Sequence, residues 1–189
     1  MAGRRTDTRE RIQQIALDLF VEQGYEKTSL REIAEALGVT KAALYYHFRT
    51  KEDIVHSLIE DIGSLLDEII EWARAQDDPA QTREELLRRL SDLIQGRFGP
   101  IMRFMQDNQP ALKDLHAGHV LAARLKGLFT FLVPADASAE DKLRSRLALV
   151  ALMAGNNPQF LDENPSKESA DVALRVALEL ASPRSPAGT

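Results

Sequence analysis

The stretch from Ala36 to Lys51 holds no acidic residue and carries Lys41, Arg49 and Lys51 together with Tyr45, Tyr46 and His47. Cations and phenol or imidazole donors gathered without counter-charge suit the oxygens of a phosphodiester backbone. Ala42 and Ala43, small residues in the same run, let a helix approach base edges closely. The competing reading is a helical hairpin with Ala, Gly and Leu at packing positions. Two outward tyrosines beside Lys41 and His47 are harder to explain that way. Covalent chemistry is poorly served elsewhere. The chain has no cysteine, which excludes a disulfide framework, a thiolate zinc site and a cysteine nucleophile. It has no glycine-rich phosphate loop, no Glu-x-x-His motif and no nucleophile elbow. Asp67, Glu68 and Glu71 can share a helix face, but carboxylates on a polar helix usually face solvent. His116 and His119 stand three residues apart, and metal binding needs more ligands than that pair. The sequence therefore predicts no enzyme, no metal and no cofactor.

The charge balance narrows the partner. Of 189 residues, 28% are charged and 44% hydrophobic, and the formal net charge is −5. Residues 1–56 carry nine Lys/Arg and nine Asp/Glu, so the whole deficit lies beyond them. Such a chain binds nucleic acid through a local patch and not by bulk charge. No apolar run approaches the roughly 20 residues of a membrane span, and the opening residues lack the apolar core of a signal peptide. The expected location is the cytoplasm.

The elements that must carry this patch are helical throughout. Ile12, Ile15, Ala16, Leu19 and Phe20 form one stripe, with a capping box expected at Asp7 and Glu10 and a C-terminal stop at Gly24. Ser29 and Glu32 form a second capping box before a short helix with Ile33, Ala34 and Leu37 inward. Gly38 supplies the positive φ of a tight turn, and Thr40 caps a third helix containing Leu44 and Phe48. Two short helices across a glycine turn are the helix-turn-helix unit. A fourth helix runs from near Lys51 to about Gln76. A fifth follows Asp77-Asp78-Pro79 and ends at Gly96. Gly99-Pro100 and Asn108-Gln109-Pro110 bracket a short sixth over Ile101 to Gln106. The seventh spans about Ala111 to Leu132, the eighth follows Ser138, and the ninth covers roughly Lys167 to Ala181. The fold class is all-α.

Residues from about Thr8 to Ile59 resemble the N-terminal domain of TetR-family transcriptional regulators. The likeness rests on Leu19-Phe20-Val21-Glu22-Gln23-Gly24-Tyr25, on Thr28-Ser29-Leu30-Arg31-Glu32-Ile33-Ala34, and on Leu37 through Phe48 with the following Lys51-Glu52-Asp53-Ile54. The resemblance implies three helices for DNA followed by six for ligand binding and dimerisation. By position it implies DNA contacts from Ser29, Arg31, Thr40, Lys41, Ala42, Ala43, Tyr45, Tyr46, His47 and Lys51, with Arg4, Arg5 and Arg9 as a basic arm. The expected division is a flexible arm over 1–7, the DNA-binding domain over 8–53, the ligand-binding and dimerisation domain over 54–182, and a disordered tail over 183–189. Trp72, Phe98, Met102, Phe104, Met105, His116, His119 and Phe129 are the candidate ligand-pocket residues. Leu147, Val150, Ala151 and Ala154, with Val172, Ala173, Val176, Ala177 and Leu180, are the candidate dimer interface. Such a protein would be a repressor, binding a palindromic double-stranded operator as a homodimer and released by a small-molecule effector. The rival classes are an enzyme on a helical bundle and a protein–protein adaptor.

Overall fold

The computed structural model describes residues 2–108, 117–133, 136–157 and 165–182; side chains are described for these except at 2–7, 97, 117–120 and 122. Nine α-helices and one π-helical segment are present among them. They are α1 (Ala2–Gln23), α2 (Leu30–Leu37), α3 (Lys41–His47), α4 (Lys51–Arg74), α5 (Pro79–Leu93), α6 (Gly99–Asp107), α7 (Ala117–Leu132), α8 (Ala139–Ala154) and α9 (Lys167–Ala181), with the π segment Ile94–Phe98 between α5 and α6. The fold is all-α. No helix among the described residues is long and apolar enough to cross a membrane.

Local chemistry explains most boundaries. The Ser29–Glu32 capping box is present at α2, and Gly38 stops that helix in the left-handed region at φ 69°. Gly24 holds φ 94° after α1. Thr40 accepts the Ala43 amide at α3. Asp78 caps α5 with Pro79 directly behind it, where a missing N–H costs nothing. Ser138 forms a capping box with Asp141 at α8, and Ser166 one with Ser169 at α9.

Three expectations are corrected. The helix α1 begins at Ala2, so Asp7 lies inside it and is not its N-cap residue; the backbone of residues 2–7 continues the helix. Gly96 does not end the fifth helix. The chain passes through the π segment, with Gly96 alone in non-helical geometry at φ −83° and ψ −109°. Gly99 and Pro100 therefore open α6 and do not bracket it; a Cβ at Gly99 would lie 2.5 Å from the Ile94 carbonyl oxygen. The expected start of the seventh helix near Ala111, and the tail over 183–189, lie outside the described residues.

The chain divides into two compact units, one comprising Met1–Gly63 with Pro100–Leu121, the other Ser64–Gly99 with Ala122–Thr189. This differs from the boundary expected at residue 54, because α4 contributes its first three turns to the first unit and α6 belongs there too. The first unit packs Ile12, Ala16 and Phe20 of α1 against Ile33 and Ala34 of α2, Leu44 of α3, and Ile54, Leu58 and Ile62 of α4, all buried. Each large aliphatic side chain in this set contributes about 1.5–3 kcal/mol by leaving water. A polar tie crosses this core: Gln13 Nε2 donates to Ser57 Oγ at 2.8 Å and to Asp61 Oδ2 at 2.7 Å.

In the second unit, Leu86, Leu87, Leu128, Leu132, Ala148 and Leu152 are buried. Arg83 is 6% exposed. Its Nε donates to the Leu132 carbonyl at 3.1 Å, as does Ser145 Oγ at 3.0 Å. A cation on the last carbonyl of α7 meets the negative end of that helix, which accounts for its burial. Helices α8 and α9 pack closely where a Cβ at Gly155 would strike the Cβ of Ala173.

Candidate nucleic-acid interface

The surface of interest is α3, seven residues long. A helix this short is unstable alone, so its neighbours must hold it. Leu44 is its one fully buried side chain, and Phe48 follows it into the core. Thr40 closes the N-terminus, and the Phe48 amide donates to the Leu44 carbonyl at the other end. Opposite Leu44, at helical spacing, stand Ala42 and Tyr46, flanked by Ala43 and Tyr45. Tyr46 is 69% exposed and Tyr45 41%. Lys41 Nζ rests over the Tyr45 ring at 5.3 Å from its centroid. Tyr46 and His47 meet edge to face at 5.3 Å. The face offered to solvent is thus aromatic, cationic and free of carboxylates.

The ten expected DNA-contacting residues divide by what their side chains already do. Lys41, Ala42, Ala43, Tyr45 and Tyr46 are exposed on α3, and His47 is half-buried there. Ser29 and Thr40 are exposed but act as helix caps. Arg31 is paired with Glu35 across one helical turn at 2.7 Å, both well exposed. Water competes strongly for both partners of such a pair, so a phosphate can displace the carboxylate. Lys51 is engaged otherwise. Its Nζ donates to the Tyr25 carbonyl at 2.6 Å and lies 4.4 Å from the Tyr25 ring centroid. That ammonium fastens the α1–α2 loop to α4.

The same loop carries a linked pair of titrating groups. Tyr25 is buried, and its hydroxyl donates to Glu52 Oε1 at 3.0 Å. Burial foremost, then the neighbouring Glu52 carboxylate, pushes the Tyr25 phenol well above its ordinary value. The Glu52 carboxyl is held low, chiefly by its own backbone amide and further by the Tyr25 and Thr50 hydroxyls. Glu32 is also held low, by the Ser29 side chain and backbone of its capping box.

The candidate ligand-pocket residues are distributed over both units. Phe104 is 1% exposed and sits in the aromatic core of the first unit, stacked on Phe20 at 5.4 Å and edge-on to Tyr25 at 5.7 Å. Its ring packs against both of those rings. Met102 and Met105 flank it on α6, half-buried. In the second unit, Phe98 is buried and Phe129 half-buried. Trp72 lines an open cleft of about 500 Å³ with Asp77, Asp78, Gln81 and Glu85, and the Arg89 guanidinium covers its ring at 4.1 Å. His116 and the side chain of His119 lie outside the described residues.

The candidate dimer residues also separate. Ala173 and Ala177 are buried against the chain's own helices. Leu147, Val150, Val172 and Val176 are exposed, and Leu143, absent from the residues expected there, joins them at 55%. Ala151, Ala154 and Leu180 are half-buried beside that stripe. Extending the Leu147–Val150 spacing one turn back is the signal that finds Leu143.

Residues 12–58 match the family model described as bacterial regulatory proteins, tetR family. The HTH-type transcriptional regulator AcrR of Shigella flexneri is 41% identical over 85 residues, covering 43% of this chain and 39% of that protein. The HTH-type transcriptional regulator TtgR of Pseudomonas putida is 28% identical over 134 residues, covering 61% of this chain and 64% of that protein. The chain thus spans between 39% and 64% of these curated relatives. The TetR-family regulator PfmR from Thermus thermophilus superposes with a TM-score of 0.69 at 24% identity, over 90% of this chain and 97% of that one. Mycobacterium smegmatis AmtR superposes with a TM-score of 0.73 at 22% identity, over 94% and 87%. At such identities the superpositions establish the fold, while the match over residues 12–58 assigns the domain that bears α3. Over residues 12–58 the chain is similar to the tetR family of bacterial regulatory proteins.

Proposed function

We propose that this chain is a DNA-binding transcriptional regulator, a cytoplasmic repressor that binds a palindromic operator as a homodimer and leaves it when a small-molecule effector binds. One observation carries the reading. The helix α3 buries a single residue and turns Lys41, Ala42, Ala43, Tyr45 and Tyr46 outward with no carboxylate among them. Small side chains allow approach to base edges, while tyrosine and lysine supply phosphate contacts. The Thr40 cap and the Gly38 turn fix the helix before binding, so little ordering is needed.

The exposed stripe of Leu143, Leu147, Val150, Val172 and Val176 supports two-fold pairing, the commonest assembly. A dimer brings two copies of α3 to successive major grooves, roughly 34–36 Å apart. The continuous α4, shared by both units, is the lever by which an effector in the second unit would reorient α3. The effector shifts that equilibrium only by its differential affinity for the two states. No catalytic role is proposed.

The test is fluorescence anisotropy with a labelled duplex from upstream of the chain's own coding sequence. Tyr45→Ala and Lys41→Ala should each weaken binding roughly tenfold, with helix content and dimer mass unchanged. Wild-type affinity in both variants would remove α3 from the interface.

A further inference from the structure

None of the residues expected to touch DNA takes part in the tie from Gln13 to α4, which lies wholly within the first unit. Gln13 is 1% exposed and Ser57 2%. Gln13 Nε2 donates to Ser57 Oγ, whose own hydroxyl donates to the Ile54 carbonyl at 2.9 Å. The same amide nitrogen donates to the half-buried Asp61. We infer that Gln13 is a positioning residue for α3: it fixes the register of α1 against α4, and so the angle at which α3 meets base edges. The inference rests on the DNA-binding reading above and names a residue on which its sequence specificity depends.

The other end of the same amide argues that the tie does not serve stability. Gln13 Oε1 is buried without a hydrogen-bond partner, which is unfavourable. Turning the amide over gives no relief, because its carbonyl would then face the Asp61 carboxylate. A methionine of similar volume would fill the space with no polar group to satisfy. What it would lack is direction. The buried neighbours of Gln13 along α1, Ile12 and Ala16, and those of Ser57 along α4, Ile54 and Leu58, are all apolar. Apolar burial is non-directional, and such residues recur at every turn. A slip of one turn, about 5.4 Å, keeps side chains of this kind buried. The hydrogen bonds to Ser57 and Asp61 choose one alignment.

The tie stands one turn from the contacts that hold the end of α3. On α1, Arg9 precedes Gln13 by one turn, and its guanidinium stacks over the Phe48 ring at 4.8 Å. On α4, Asp53 precedes Ser57 by one turn, and its Oδ2 accepts the amides of Arg49 and Thr50 at 3.0 Å each. Residues one turn apart share a helix face. The chain leaving α3 is thus gripped by both α1 and α4, and Gln13 locks those two grips to each other. Without that lock, α1 and α4 shift against one another and α3 tilts with them. In the DNA-binding reading, base edges meet Ala42 and Ala43, so a tilt loses base contacts while every cation stays on the surface.

The measurement is the ratio of affinities for the upstream duplex and an unrelated duplex of equal length, with the urea midpoint and dimer mass of each variant beside it. Gln13→Met should hold or raise the midpoint, because Ser57 keeps its bond to Ile54 and the half-buried Asp61 is hydrated. It should leave the unrelated duplex unaffected and weaken the upstream one roughly tenfold, the scale of losing one base pair's contacts. Asp61→Asn retains an oxygen acceptor for the Gln13 amide and should keep the wild-type ratio. A residue that served packing alone would move the midpoint and not the ratio. A wild-type ratio in Gln13→Met, a lowered midpoint in the same variant, or a lowered ratio in Asp61→Asn overturns the inference and leaves the DNA-binding reading standing. A wild-type protein with no preference for the upstream duplex overturns both.

Discussion

Two exposed faces of this molecule differ in kind. Helix α3 turns tyrosines, a lysine and alanines to solvent, whereas α8 and α9 turn out leucines and valines. The first surface is well solvated, because phenol and ammonium groups hydrogen-bond to water. The second carries the aliphatic stripe of Leu143, Leu147, Val150, Val172 and Val176, the kind of patch that marks a protein–protein contact. The supports differ as well. The α3 face is held by caps at both ends and one buried leucine. The α8–α9 face is held by tight helix packing, with Gly155 against Ala173 and with Ala148, Ala170 and Ala177 also buried. In the proposed reading, the first surface meets a polyanion and the second meets a copy of itself.

That contrast can be broken at its supports. Phe104→Ala removes a ring packed on Phe20 and Tyr25, at an expected cost of about 3–5 kcal/mol. Much of the stability of a domain this size would go. Urea denaturation should show the first unit melting early, with DNA affinity lost and the dimer intact by sedimentation. Simultaneous loss of the dimer would mean the two faces are not independently supported.

Val150→Arg places a charge on the aliphatic stripe, where Val150 is 56% exposed. Burying that charge unpaired should weaken self-association by about 3 kcal/mol or more. Sedimentation should then give monomers where the wild type gives dimers, and Ala151→Arg should act in the same direction. A normal dimer in both would reject this face.

Removing caps should have a smaller effect. Thr40→Ala and Ser29→Ala should each cost about 1 kcal/mol by thermal or chemical unfolding. An operator affinity that falls in Thr40→Ala by more than this stability change would mean that the cap also touches DNA.

The smallest effect concerns pH. Tyr25 is raised above its ordinary value of 10.0, so the folded state favours the protonated phenol. Its contribution is intact below that pH and is lost as pH rises beyond it. Glu52 is lowered from 4.5, so its contribution is present above that value and is lost as pH falls through the depressed one. Tyr25→Phe should flatten the alkaline limb of the stability profile and shrink the acid limb, by about 1 kcal/mol or less. An unchanged alkaline limb would sever the Tyr25–Glu52 link.

Short-range features are readable from sequence because their causes are short-range. The Ser29–Glu32 box, the Gly38 turn, the Thr40 cap and Asp78-Pro79 each depend on residues within one turn. The engagement of Lys51 is hidden because its partner, the Tyr25 carbonyl, is 26 residues away. Phe104 suits a pocket wall or a core equally well, as a Phe beside methionines on a short helix; only the position of Phe20 decides. The burial of Ala173 and Ala177 follows the same logic, since small residues serve an internal helix pair as readily as an external one. Gly96 carries both helical and breaking tendencies, and the chain resolves them by widening the helix for one turn.

The ring of Phe104 has a consequence for biosynthesis. It emerges roughly eighty residues after Phe20, the side chain it covers. At ordinary translation rates that interval is on the order of ten seconds. Throughout it the nascent amino-terminal portion lacks one wall of its interior. The first unit is therefore closed only after synthesis has passed the chain's midpoint, and before any residue of the exposed α8–α9 stripe has been made.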